Sequence, residues 1–372
     1  MNAFPETILQ FGTGRFLRAF ADRFIHQANA EGQGIGSVVV VQSTGTDAAD
    51  QLNLAKGVYH IAVRGLEDGK TVRRDEVASI SRCLTAPRDW DEILKVARLP
   101  QLNFILSNTT EKGYAIDPDD GPTVSPPRSF PAKLLVLLST RFDAGLPGVT
   151  LIPCELRDNQ ADELLAILVG FAKRWRLDDK LIKWIERECT WLNTLVDRIV
   201  VGPPIDHPLV GKDPLLVMAE PFAFWALQSK RAAAKFVEHP AIVRCSDVRP
   251  YFLRKVRILN AAHTALVTRA KPRGHDTVLQ AMNDPELADW LERLLFDEIV
   301  PTLPKEVEGA ENFARQTLER FRNPFLAHQI DDIRQNHDSK VRIRLLPTRD
   351  EFRAKFNREP GLLNAVLKEN GL

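Results

Sequence analysis

The sequence predicts an α/β protein in which a doubly wound parallel sheet is followed by a mainly α-helical C-terminal domain. Three observations predict it. The first forty residues read as strand, glycine turn, helix and strand. Short, almost continuously apolar runs recur further on, separated by a helical period. After about Cys245 the strand signals fade and helical patterns take over. A chain of 372 residues, 44% hydrophobic and 27% charged, also exceeds one comfortable core, so two domains are expected, 1–244 and 245–372.

The opening unit runs from an apolar strand, Ile8 to Phe11, through Gly12-Thr13-Gly14 to a helix pattern, Phe16 to Gln27, and a second strand, Ser37 to Gln42. That is a βαβ unit of the Rossmann type. Tyr59 to Leu66 and Thr71 to Ile80 alternate like strands on either side of Glu67-Asp68-Gly69-Lys70, whose Asp-Gly pair signals the turn of an inserted hairpin. Asn103 to Ser107 and Val149 to Cys154 suit buried parallel strands, with the helix pattern Ala132 to Phe142 between them. Past Cys245, Leu253 to Thr268, Leu287 to Ile299 and Glu311 to Arg322 carry helical periodicity, closed by Pro272-Arg273-Gly274, by Pro301 and Pro304, and by Asn323-Pro324. The last stretch, Pro347 to Leu372, is charged with a weak helical period.

Charge narrows the class of partner. Fifty basic and forty-nine acidic residues are mixed along the chain, net +1, which leaves no electrostatic footprint for nucleic acid or an anionic membrane. A small molecule is the expected ligand. The start has no cationic leader pattern, and no segment approaches the roughly 20 apolar residues that span a bilayer, so a cytoplasmic location is expected. Cys83, Cys154, Cys189 and Cys245 lie far apart without a CxxC pair, which predicts buried reduced thiols and no metal site.

A glycine turn between a first strand and its helix is where a dinucleotide pyrophosphate sits, because glycine lets backbone approach phosphate and the helix start offers free N–H groups. Gly12 and Gly14 fit, but a third glycine in that motif would fall at position 17, where Leu17 stands, so an ordinary tight turn reads equally well. The end of the second strand, Val41-Gln42-Ser43-Thr44-Gly45, offers neither an acid for an adenosine ribose nor an arginine for a 2′-phosphate. NAD and NADP both stay open on these residues. Ser107-Asn108-Thr109-Thr110-Glu111 follows a central strand at its carboxyl end and reads as a cofactor loop or as a polar cap.

Lys255, Asn260 and His263 form the pattern K-x4-N-x2-H on one predicted helix. At about 100° per residue, Asn260 lies roughly 140° and His263 roughly 80° around from Lys255, so the three share one broad face over about 12 Å. Carbonyl reduction needs a proton donor beside the oxygen that gains negative charge, and a buried lysine can serve in both directions. Asn260 could donate to the same oxygen, and His263 could orient a neighbouring hydroxyl. A solvated lysine with a satisfied Asn and His gives the same spacing.

At these residues the chain resembles the polyol-specific long-chain dehydrogenase family, also called the mannitol dehydrogenase family. The resemblance runs over most of the chain: Gln10 to Phe20, Ser107 to Gly113, Phe130-Pro131-Ala132-Lys133, Pro153-Cys154-Glu155-Leu156, Thr194 to Val200, Lys255 to Thr264 and Phe321 to Phe325. It implies an NAD(P)-dependent oxidoreductase, with NAD the expected cofactor, acting on a sugar acid or polyol. Gly12, Gly14, Arg15, Phe16, Ser107, Asn108 and Thr109 would contact the cofactor. Lys255 would be the general acid/base, Asn260 would polarise the carbonyl and His263 would bind substrate. Asp197 matches another active-site position, although an ion pair with Arg198 reads the same residues. Lys340 matches a late substrate-binding lysine and Arg334 an arginine just before it, and both would suit a uronate carboxylate, although solvated surface cations read the same.

Within the family, the SNTTE, PCEL and TLVDRIV segments look most like members that reduce tagaturonate to altronate with NADH. A fructuronate, polyol or polyol-phosphate enzyme, or a non-catalytic sensor, is the alternative. Three features depart from the pattern. Glu155-Leu156 replaces an Asp-Asn pair of the mannitol enzymes, Ala261 replaces a glycine, and the chain runs a shorter way past Lys340 than the uronate reductases do, so a reduced substrate domain is expected.

Overall fold

The computed structural model describes residues 4–65, 71–109, 111–228 and 235–372. The strands, in chain order, are β1 (Glu6–Phe11), β2 (Ser37–Gln42), β3 (Tyr59–Gly65), β4 (Thr71–Val77), β5 (Ile80–Thr85), β6 (Phe104–Ser107), β7 (Thr150–Pro153), β8 (Thr190–Trp191), β9 (Asn193–Asp197), β10 (Val200–Val201), β11 (Val217–Ala219), β12 (Phe224–Gln228) and β13 (Ile242–Cys245). The chain folds as two compact units. One comprises residues 1–62, 74–218 and 222–248, and the other 63–73, 219–221 and 249–372. The continuous part of the second unit begins at Arg249, and two short earlier stretches, 63–73 and 219–221, cluster with it.

The core of the first unit is a six-stranded sheet in the order β5-β2-β1-β6-β7-β8, with every pair parallel. Counted along this sheet, the order is 3-2-1-4-5-6, that of a dinucleotide-binding doubly wound fold. The composition explains the burial. Ile8, Leu9 and Phe11 of β1 and Val38 to Val41 of β2 are all fully buried, as strands covered by helices on both faces require. The chain reverses its direction of winding between β1 and β6, and a crevice opens at their carboxyl ends. The antiparallel pair β9–β12 and parallel strand β13 form a smaller sheet, whose strands the sequence analysis did not separate.

Two expectations for this unit need correction. Thr71 to Ile80 is not one strand: β4 ends at Val77, and β5 starts a new strand that pairs with β2 at the edge of the main sheet. The sequence marks no turn at the break, since Ala78 and Ser79 are neither Gly nor Pro. The helix expected over Phe16 to Gln27 is two helices, Arg15–Arg18 and Ala21–Ala30, interrupted at Phe20 (φ −129°, ψ −88°). The Glu67 to Lys70 turn lies outside the described residues.

The second unit is built round one long helical segment, Arg249 to Ala270, and the helices Pro285–Arg293, Ala310–Phe321, Ile330–Arg334, His337–Arg344 and Gly361–Glu369 pack on it or beside it. Local chemistry sets the ends of these helices. Thr277 and Gln280 form a reciprocal capping box at the start of Val278–Asn283, and Asp284 caps the next helix. The buried carboxylate of Glu298 accepts the Leu362 and Leu363 N–H groups, at 2.8 and 2.7 Å, that open Gly361–Glu369.

Candidate active site

In the first unit a cavity of about 710 Å³ lies over the glycine turn. Gly12, Thr13 and Gly14 form its floor, Gln42, Ser43 and Thr44 one side, and Asn108, Thr109, Gly113, Arg128 and Phe130 the rest. Only glycine fits at position 12. Its φ is +124°, and a Cβ there would stand 2.8 Å from the Asn108 carbonyl oxygen. Backbone bonds from Gly12 N to Val41 O (3.1 Å) and from Asn108 N to Phe11 O (3.0 Å) hold the turn between the ends of β2 and β6. At Gly14 a Cβ would meet nothing within 4 Å, so the turn is open on its cavity side.

Beneath the turn lies a buried polar network. Gln10 donates to the Gly12 carbonyl (3.2 Å) and to Asp22 (3.3 Å), and Tyr59 donates to the Arg18 carbonyl (2.8 Å). Burial pushes the Asp22 carboxyl up to about 7, against the opposing pull of Gln10 and Arg18. On the far side, Asp120 accepts from Arg128 N and from the backbone and hydroxyl of Ser129, which braces the segment leading to Phe130.

The expected cofactor residues separate in space. Gly12, Gly14, Asn108 and Thr109 line the cavity. Ser107 does not: it is buried and its hydroxyl donates to Glu155 at 3.1 Å. Arg15 is exposed and approaches Gly202, while the Phe16 ring stacks on Phe20 at 4.9 Å. Gln42, on the cavity's side, uses its amide locally, donating to the Thr44 carbonyl and accepting from Ala49 N in the first turn of the next helix. Asp197 ends β9 and is 2% exposed, and the neighbouring Arg198 is anchored on the Ala19 carbonyl at 2.6 Å.

The second unit gathers Lys255, Asn260 and His263 on the segment Arg249 to Ala270, but not in the geometry expected. Lys255 to Asn260 is a π-helical stretch between two α-helical ones. An i→i+5 ladder stacks residue i+5 nearly over residue i, so Asn260 swings back toward the side of Lys255 rather than lying about 140° away. Such widened turns concentrate at functional sites. On the opposite side Arg257 is fixed by Thr348 and Glu351, both at 2.8 Å.

Lys255 is half-buried, whereas Asn260 and His263 are buried. Among the described residues, Asn260 Nδ2 and His263 Nε2 are buried without a hydrogen-bond partner. Buried polar atoms in native proteins are almost always satisfied, so two orphans on one helix face mark a place for a ligand or ordered water. Thr264 returns its hydroxyl to the Asn260 carbonyl (2.9 Å). The His263 ring stacks on Phe321 (4.0 Å) and meets His328 edge to face (4.8 Å). Burial holds His263 well below the ordinary histidine range, and His328, Arg320, Arg344 and Lys255 push the same way.

The sequence analysis missed this cationic surround. Arg320 makes a buried, two-pronged pair with Glu220 (2.9 and 2.7 Å), and Arg344 donates to Thr264 (3.3 Å). Arg320 stands just before the FRNPF motif and Arg344 in the basic run after Lys340, and neither place carries a spacing that names a partner. Lys340 donates to the Ile333 carbonyl (2.7 Å) and is close enough to depress His328, whereas Arg334 is exposed at the end of its helix.

The four cysteines are free, and burial raises each thiol, Cys83 to about 12. Among the described residues no cluster of His, Cys, Asp and Glu could hold a metal ion, and no helix is long and apolar enough to cross a membrane.

Comparison with known proteins places this geometry in a family. Residues 6–239 match the mannitol dehydrogenase Rossmann domain, and residues 247–365 match the mannitol dehydrogenase C-terminal domain. Altronate oxidoreductase of Bacillus subtilis (strain 168) is 37% identical over 366 residues, covering 94% of this chain and 75% of its own length. That of Klebsiella pneumoniae (strain 342) is 39% identical over 360 residues, 92% of this chain and 74% of its own. In fold, the chain is similar to the Pseudomonas fluorescens mannitol 2-dehydrogenase ternary complex with NAD and D-mannitol (TM-score 0.85, 24% identity, 99% of this chain and 78% of that one). A substrate-free D-sorbitol dehydrogenase superposes with a TM-score of 0.80 at 24% identity, over 99% of this chain and 80% of that one. With both domain models matched in order, and relatives at 37–39% identity over more than nine-tenths of its length, this chain belongs to the mannitol dehydrogenase family of oxidoreductases.

Proposed function

We propose that this chain is an NAD-dependent oxidoreductase that interconverts tagaturonate and altronate. The observation that carries the reading is the pair of buried, unpartnered atoms Asn260 Nδ2 and His263 Nε2 on the helical segment that bears Lys255. The names of the 37–39% identical relatives support the substrate, and the NAD complex of the mannitol 2-dehydrogenase supports the cofactor. The cavity over Gly12 and Gly14 suits a dinucleotide, since two glycines of its floor let backbone come close to a phosphate and its volume is that of a small-molecule site.

In this reading the nicotinamide, when bound, supplies or accepts the hydride. The chain supplies the rest. Lys255 Nζ gives a proton to the carbonyl oxygen during reduction and takes it back during oxidation. Asn260 Nδ2 donates to the same oxygen as it gains negative charge, and it needs no rearrangement because it has no competing partner. His263, kept neutral by burial, offers Nε2 to a neighbouring hydroxyl and orients the substrate. Lys340 and the cations round His263 favour the carboxylate that distinguishes a sugar acid from a polyol. The reading includes a cytoplasmic location, in keeping with four unpaired cysteines.

The test is the absorbance of the reduced nicotinamide, with NADH or NADPH against tagaturonate and fructuronate in separate cuvettes. Loss of absorbance with NADH and tagaturonate is the expected result. Turnover of fructuronate in preference moves the substrate within the family, and no loss with any pair overturns the proposal.

A further inference from the structure

Glu155 stands at the carboxyl end of β7, immediately after Cys154, and is 2% exposed. Its two oxygens are fully engaged by one neighbouring segment. Oε1 accepts from the Thr109 backbone N–H and hydroxyl, both at 3.0 Å, and Oε2 accepts from the Ser107 hydroxyl at 3.1 Å and the Tyr114 hydroxyl at 3.2 Å. Between these anchors, Asn108 Nδ2 donates to the Cys154 carbonyl at 2.6 Å. Residues 154 and 155 thus hold Ser107, Asn108, Thr109 and Tyr114 through five hydrogen bonds.

Four donors converge on two carboxylate oxygens. An ionised carboxylate accepts all of them, whereas a protonated one gives up acceptor capacity and carries a proton that needs an acceptor of its own. Burial raises the Glu155 carboxyl, while the bonds from Thr109 and Ser107 oppose that rise. The fastened segment is also a wall of the cavity, through Asn108, Thr109 and Gly113. The same wall presses on the floor, since the Asn108 carbonyl is the atom that a Cβ at Gly12 would strike. Any relaxation of the segment therefore changes the width of the cavity.

We propose that Glu155 is a positioning residue for the dinucleotide: it lines no part of the cavity yet sets its shape by holding Asn108, Thr109 and Gly113 in place. The inference rests on the cofactor reading above.

The experiment measures NADH binding by fluorescence titration, together with KM for NADH and kcat, on the full chain. Glu155→Gln keeps the size and removes the charge and half of the acceptor capacity. Thr109→Val and Tyr114→Phe each remove one hydroxyl donor and carry the test if the Gln variant does not fold. The expected result is a rise of about tenfold in the Kd and KM for NADH with Glu155→Gln, about threefold for each donor variant, and an effect that falls on KM rather than on kcat. Glu155→Gln combined with Tyr114→Phe should cost less than the product of the two single effects, because both act through one bond. Unchanged NADH affinity in a folded Glu155→Gln protein overturns the inference and leaves the cofactor reading intact. So does a loss confined to kcat, or full multiplicativity in the double variant. Failure of the unaltered protein to bind NADH overturns both.

Discussion

The imidazole of His263 lies almost flat on the ring of Phe321, with centroids 4.0 Å apart and planes 24° from parallel. The stack fixes the plane in which Nε2 points, because the ring cannot rotate without losing its face. Such pairs contribute about 0.5–1.5 kcal/mol beyond their area. Phe321→Leu keeps an apolar neighbour and removes the flat surface. Steady-state kinetics should show KM for the sugar acid rising about tenfold, with KM for NADH unchanged; equal change in both would assign Phe321 to general packing.

His263 is buried and His328, half-buried, meets its ring edge-on, and both are held below the ordinary range by desolvation, His328 at about 4. Groups depressed in the fold lend stability that is present above their unfolded value of about 6.5 and is lost as pH falls through the folded value. Thermal midpoints should therefore drop between about pH 6.5 and pH 4. His328→Asn should flatten that drop. The pH profile of kcat/KM should also lack an inflection from His263 between pH 6 and 8, since the ring is already neutral there.

Lys255→Ala should lower turnover by about two to four orders of magnitude, the usual scale of general acid–base catalysis, with NADH affinity little changed. Fluorescence titration beside the rate measurement separates the two. Turnover near that of the unaltered protein would remove Lys255 from the mechanism.

Gly12→Ala combines a disfavoured φ of +124° with a contact at 2.8 Å to a backbone oxygen that cannot swing away. A strained position of this kind costs about 1–3 kcal/mol. The variant should melt several degrees lower and lose most NADH affinity. A protein that melts and binds like the original would show that the turn can rearrange.

Asp22 is fully buried, with its carboxyl raised to about 7. A carboxyl raised in the fold lends stability below its unfolded value, near 4, and that stability fades as pH climbs to about 7. Asp22→Asn, which carries no charge at any pH, should be more stable than the original at pH 8 by up to a few kcal/mol, with the gap closing toward pH 4. Denaturant unfolding at the two pH values reads the difference directly.

Much of the first unit was legible because its signals are local. β2 occupies Ser37 to Gln42 as the apolar run requires, and β1, β6 and β7 fall within two residues of their expected bounds. The β4–β5 break was not legible, because β5 leaves the hairpin to pair with β2, and that choice belongs to the sheet rather than to the residues at 78 and 79. The strands β9, β12 and β13 escaped for a similar reason: each is short, and only pairing with one another makes them strands.

The candidate site divides along the same line. By itself, the sequence determined the glycine turn, the K-x4-N-x2-H pattern and the family, since residue identity and spacing carry all three. Only tertiary structure decided that Asn260 and His263 are buried without partners, that the helix widens between Lys255 and Asn260, and that Ser107 faces Glu155 instead of the cavity. Burial and partnership arise from segments far apart in the chain, such as Thr264 with Arg344 or Glu220 with Arg320. No local pattern encodes them, because their energies depend on what the fold brings alongside and on how much water it removes.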